Sequence, residues 1–151
     1  FLGIQRRFTK VFSIGKREFY DDYAHHPTEI KAVIKAARDV YKDRKIICVF
    51  QPHRYSRIKS LKSEFASSFT DSNTVVLCPV YSAGEKLTYN FSQEKFSKLI
   101  SNKSKVQVIN IQDQNQLKNY FKKNLIEDEK VICMGAGSIS SWIREIGYIL
   151  K

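Results

Sequence analysis

All three histidines of the chain fall in two short stretches, Asp21-Asp22-Tyr23-Ala24-His25-His26-Pro27 and Phe50-Gln51-Pro52-His53-Arg54-Tyr55-Ser56-Arg57. A carboxylate at the end of a strand can accept the hydrogens of two neighbouring hydroxyls, as acidic residues do for a ribose. Asp21 and Asp22 are candidates for that role. The plainer alternative is that one of them caps the following helix or turn. Tyr23 can stack on a base or simply pack. Arg54 and Arg57 stand three apart at the start of a predicted helix, where they share a face. A helix N-terminus favours anions, and two guanidinium forks there suit a carboxylate or a phosphate. Against this stands one surface arginine plus one paired with Glu64 or an aspartate. His25, His26 and His53 lack the local spacing of a metal site, so hydrogen bonding or substrate contact is the favoured reading and no metal is expected.

Other motifs say less. Gly135-Ala136-Gly137 follows a strand and opens a helix, but Ser140 stands where a dinucleotide fingerprint needs its third glycine. Such turns mostly let helix and strand approach closely. The 151 residues contain neither a Gly-x-x-x-x-Gly-Lys-[Ser/Thr] phosphate loop nor Gly-x-Ser-x-Gly. No complete catalytic apparatus is recognisable among them.

The elements that must position these residues follow from periodicity. Residues 45–50, 74–80, 105–111 and 130–134 are short, Val- and Ile-rich runs bounded by polar, Gly or Pro residues, and they predict buried strands. Helical spacing places Ile30, Val33, Ile34, Ala37 and Val40 on one face over residues 28–41. It recurs at Ile58, Leu61, Phe65 and Phe69, in a short third helix at Phe96, Leu99 and Ile100, at Leu117, Tyr120, Phe121 and Leu125, and from Ile139 to Leu150. Residues 6–14 and 17–20 form a hairpin across Gly15, or one edge and one central strand. The order β-β-α-β-α-β-α-β-α-β-α implies an α/β, Rossmann-like fold. It has a mostly parallel sheet of about six strands, helices on both faces and an N-terminal hairpin or edge strand. In such sheets ligands bind at the carboxyl ends of the strands, where both histidine-bearing turns lie.

Composition narrows the class. The chain is 42% hydrophobic and 27% charged, which suits one globular domain. It begins at Phe1, so we expect a piece of a longer protein, with residues 1–5 a linker and 6–151 the domain. No apolar run approaches the roughly 20 residues of a membrane helix. Cys48, Cys78 and Cys133 lie in apolar runs without metal spacing, which fits buried thiols in a reducing cytosol. The net charge of +11 invites a nucleic-acid reading. The lysines are dispersed, however, and no basic run exceeds two residues. A solvated basic surface is favoured, with an anionic ligand such as a nucleotide still suited to it.

Arg6-Arg7-Phe8, Asp21 to Pro27 with Thr28-Glu29, Phe50 to Arg57, Val80 to Glu85, and Met134-Gly135-Ala136-Gly137 resemble, in order, the motifs of the Mur ligases. The resemblance covers nearly the whole chain, and the form of the Phe-Gln-Pro-His-Arg-Tyr-Ser-Arg string is similar to that of the alanine-adding branch. It implies the C-terminal, Rossmann-like domain of a three-domain cytoplasmic ligase for peptidoglycan precursors. The substrates would be ATP, UDP-N-acetylmuramate and L-alanine. The phosphate loop and most Mg2+ contacts would lie in the missing central domain, and this domain alone would be inactive. Carried over by position, Asp22 is expected at the ATP ribose, with Arg7, Tyr23 and His25 near the nucleotide. His53, Arg54 and Arg57 are expected to receive the amino acid and its carboxylate. The interval from Arg7 to Asp22 is short for the family, implying a trimmed hairpin. Ser138 stands where an acidic or amide residue is common. The alternatives are a basic nucleic-acid-binding module and a stand-alone nucleotide-binding domain.

Overall fold

The computed structural model describes residues 7–151, so the expected linker over 1–5 and Arg6, which opens the first matching motif, lie outside the described residues. The elements run β1 (Thr9–Ile14), β2 (Arg17–Asp22), α1 (Pro27–Val40), β3 (Ile46–Phe50), α2 (Tyr55–Ala66), β4 (Thr74–Leu77), α3 (Gln93–Ser104), β5 (Gln107–Asn110), α4 (Gln114–Asn124), β6 (Lys130–Met134) and α5 (Ile139–Leu150). This is the expected order. The strands form one sheet, β1-β2-β6-β3-β4-β5. Only the β1–β2 pair is antiparallel.

Both readings of the N-terminal strands hold together. β1 and β2 are a hairpin, with β1 at the sheet edge and β2 inside it. Ile14 pairs with Arg17 across the two-residue loop Gly15-Lys16. Gly15 has φ 61°, the left-handed value that a tight hairpin needs at its first loop position. The register slips between Lys10 and Phe12, a bulge that breaks the exposed edge.

Alternation along the central strands sorts side chains into two cores. Ile46, Cys48 and Phe50 of β3 join Ile30 and Ile34 of α1, Ile58 and Phe65 of α2, and Phe96 and Ile100 of α3. Ile47 and Val49 face the opposite way, toward Leu117 and Phe121 of α4 and Ile139, Ile143 and Ile146 of α5. β3 and β6 are therefore buried at every residue, which is why they read as unbroken apolar runs. All three cysteines are free and buried, and burial pushes the Cys48 thiol up to about 12.

Boundaries differ where local chemistry overrides periodicity. β4 stops at Leu77 rather than at residue 80, since Pro79 has no N–H for the ladder. β5 starts later than expected because Lys105, at φ 57°, ends the preceding helix in a left-handed cap. α3 is a full helix of 12 residues rather than a short one, opened by the Ser92 hydroxyl, which accepts from Lys95 N at 3.1 Å. Among the described residues no helix is long and apolar enough to cross a membrane.

Candidate functional site

The ends of β2, β3, β4 and β6 meet at one edge of the sheet, and each is followed by a turn that carries polar side chains. Asp21 and Asp22 close β2 opposite Cys133 and Met134 of β6. Being adjacent on a strand, they point to opposite faces. Asp21 is fully buried. Its Oδ2 accepts from Ser140 Oγ and from Arg144 Nη1, both at 2.7 Å, and so ties β2 to α5. Asp22 faces the other way. Its Oδ2 accepts from Phe8 N at 2.7 Å and its Oδ1 from Ala24 N at 2.8 Å. Burial raises the Asp22 pKa above the usual carboxylate range, and the two N–H bonds and the nearby Arg7 charge work against that rise. Thus Asp22 caps the turn and also lines a cleft of about 230 Å³ with Arg7, Tyr23, Ala24 and Glu29. Each carboxylate oxygen has a second lone pair for a ligand hydroxyl.

Tyr23 is 37% exposed and meets His25 edge-on, with ring centres 5.0 Å apart. His25 Nδ1 lies 2.9 Å from the Tyr23 carbonyl, so Nδ1 carries a proton and donates there. At the start of α1, Glu29 reaches back to accept from His25 N at 3.2 Å and His26 N at 3.1 Å. Pro27 occupies the first helical position, where its missing N–H costs nothing.

The second turn is built differently from what the spacing implies. Arg54 is the residue before α2, not part of it, and has φ 71°, ψ 134°. That conformation costs a non-glycine residue about 1–3 kcal/mol. The two arginines therefore do not share a helical face. Arg57 instead turns back one helical turn, and its Nη1 donates to His53 Nδ1 at 2.9 Å. His53 thus carries its proton on Nε2. Burial, and then the Arg57 charge, hold the His53 pKa below the usual imidazole range. His26 is lowered by burial first and by Arg57 next. Neither arginine pairs with Glu64.

Contacts between rings join the two turns. The His53 ring lies 5.7 Å from His25 and is stacked on Tyr81 at 5.6 Å. The Gly-Ala-Gly turn has a structural role here. A β-carbon on Gly137 would fall 2.4 Å from Tyr81 Cγ, and one on Gly135 would fall 3.0 Å from the Gln51 carbonyl. Gln51 Oε1 accepts from Ile139 N at 3.0 Å while its Nε2 donates to Ser138 Oγ at 2.9 Å, so Ser138 is engaged in closing α5 onto β3. Sequence reasoning assigned no role to Gln51, Tyr81 or Glu85. The only signal was their place in the matching motif strings.

A model of the family described as Mur ligase, glutamate ligase domain, matches residues 6–137. The chain belongs to this family. Similar Mur ligases include UDP-N-acetylmuramate–L-alanine ligase of Pelagibacter ubique (strain HTCC1062), 48% identical over 146 residues, covering 97% of this chain and 32% of that protein. The enzyme of the same name from Sulfurihydrogenibium sp. (strain YO3AOP1) is 46% identical, covering 93% of this chain and 30% of that protein. The crystal structure of UDP-N-acetylmuramate-alanine ligase from Thermotoga maritima superposes with a TM-score of 0.70 at 25% identity, over 95% of this chain and 29% of that chain. A murein peptide ligase from Psychrobacter arcticus shares the fold, with a TM-score of 0.73 at 16% identity over 97% of this chain and 31% of that one. This Mur ligase chain spans about a third of the length of the curated relatives it matches.

Proposed function

We propose that this Mur ligase domain is the C-terminal part of a cytoplasmic, ATP-dependent enzyme that joins L-alanine to UDP-N-acetylmuramate. The reading is supported most directly by the contact of His25 with His53, which puts the two motif turns at one sheet edge. On this reading Asp22 accepts the ribose hydroxyls of ATP. Arg7, Tyr23 and His25 line the adenosine side. His53, Arg54 and Arg57 receive the amino acid, with its carboxylate on the guanidinium groups. The reaction transfers the γ-phosphoryl group of ATP to the lactyl carboxylate. The amine of alanine then attacks the acyl phosphate, and phosphate leaves as the amide forms. Closure of this domain over the remaining domains shields the acyl phosphate from water. The Mg2+ that ATP chemistry requires prefers oxygen ligands. Among the described residues no three His, Cys, Asp or Glu side chains converge to hold an ion, and the Asp22 and Glu85 oxygens are engaged by N–H and O–H groups, so we assign the ion to the rest of the enzyme.

The test is a pair of substitutions in the whole ligase. Asp22→Ala raises KM for ATP roughly tenfold or more, the worth of a charge-assisted hydrogen bond, and leaves alanine KM nearly unchanged. Arg54→Ala does the reverse. Unaltered ATP kinetics in the first variant remove the ribose role, and unaltered alanine KM in the second makes Arg54 structural. The nucleic-acid alternative is not favoured, because no observation beyond net charge supports it.

A further inference from the structure

The turn that carries His53, Arg54 and Arg57 supplies no side-chain cap of its own at Arg54, the residue before α2. A helix N-terminus needs an acceptor for its first N–H groups, usually from the residue just before it. Here that residue is Arg54, which has no acceptor, and no side-chain cap is made from it. Two arginines at the positive end of the helix dipole add an unfavourable charge. The acceptor comes from elsewhere. Glu85, on the loop after β4, accepts from Ser56 N at 3.0 Å and from Ser56 Oγ at 2.5 Å. These bonds, the Ser56 hydroxyl first, hold the Glu85 carboxyl below the usual carboxylate range. The same loop grips the turn a second time. Arg54 N donates to the Tyr81 carbonyl and Tyr81 N donates to the Pro52 carbonyl, each at 2.8 Å. The Tyr81 ring then fills the space between His53 and Gly137.

We infer that Glu85 is a positioning residue that caps α2 from outside and thereby fixes the direction of Arg54 and Arg57 toward the incoming amino acid. This deepens the functional reading above and rests on it. Both Glu85 oxygens are committed to Ser56, which is the geometry of a cap. A carboxylate used directly on the substrate ammonium would need charge, whereas a cap needs only an acceptor. A glutamine supplies one, and its amide still meets the Ser56 hydroxyl.

The experiment is steady-state kinetics of the whole ligase carrying Glu85→Ala, Glu85→Gln or Arg57→Ala, with alanine and ATP varied separately. Misplaced arginines in Glu85→Ala raise alanine KM about tenfold or more, with ATP KM held within about twofold. Glu85→Gln recovers most of the loss. If Glu85→Ala leaves alanine KM unchanged while Arg57→Ala raises it, the inference fails and the site reading stands. If Arg57→Ala has no effect on alanine KM, the site reading falls and takes the inference with it. Glu85→Gln as impaired as Glu85→Ala means that the charge itself acts on the substrate, which overturns the capping role. An equal rise in ATP KM signals general loss of the fold and also overturns it.

Discussion

Asp21 and Asp22 follow one another on β2, and the alternation of the strand sends one carboxylate to Arg144 and the other to the cleft at the sheet end. From the residue pattern alone they were equivalent candidates, and only the resemblance singled out Asp22, because the face that each would take depends on which side α5 packs. His53 was a candidate from its motif, but its tautomer could not be read there, since that follows from an Arg57 contact one turn away. Removing that charge has a measurable effect. In Arg57→Gln the His53 pKa rises toward the ordinary imidazole value, read by NMR titration. An unmoved pKa would leave burial as the main cause, with the smaller contributions of His25 and Arg54. The linkage sign follows. The fold depresses the His53 pKa, so its contribution to stability is present above the ordinary pKa of about 6.5. It is lost as pH falls through the lower folded value.

At the level of elements, every strand and helix was legible from periodicity. The ends were not, because they are set by single residues such as Pro79 and Lys105. The α2 start shows this most clearly. Three-residue spacing of the arginines implies a shared face only if both are helical, and Arg54 is not. Long-range ties such as Asp21–Arg144 leave no local pattern at all. This one is testable by stability. Arg144→Met removes the guanidinium from a carboxylate with no exposed surface. It costs about 2 kcal/mol, less than the 3–5 of a wholly buried pair because the Arg144 side chain is 41% exposed. The thermal midpoint falls by about 4–8 °C, and an unchanged midpoint would show that the pair contributes nothing net.

For the whole molecule, the sheet is a frame that delivers side chains from four strand ends to one edge, and the chain carries the proposed recognition groups without a phosphate loop. The 151 residues alone should therefore fold and yet turn over no ATP when given UDP-N-acetylmuramate and alanine, measured as phosphate release. Turnover by this chain would mean that the chemistry resides here after all. The lysines behind the +11 charge are dispersed along the sequence, with no basic run longer than two residues, and so mark no basic track in the chain.

Arg54 is the residue through which these scales meet. Its left-handed backbone is a conformation that glycine adopts freely. Glycine there would relieve strain and discard the guanidinium in one step. A selection for heat resistance alone would thus drift toward losing the residue, whereas, if Arg54 holds the amino acid as proposed, a selection for growth on limiting alanine would retain it. The two pressures oppose each other at a single backbone angle.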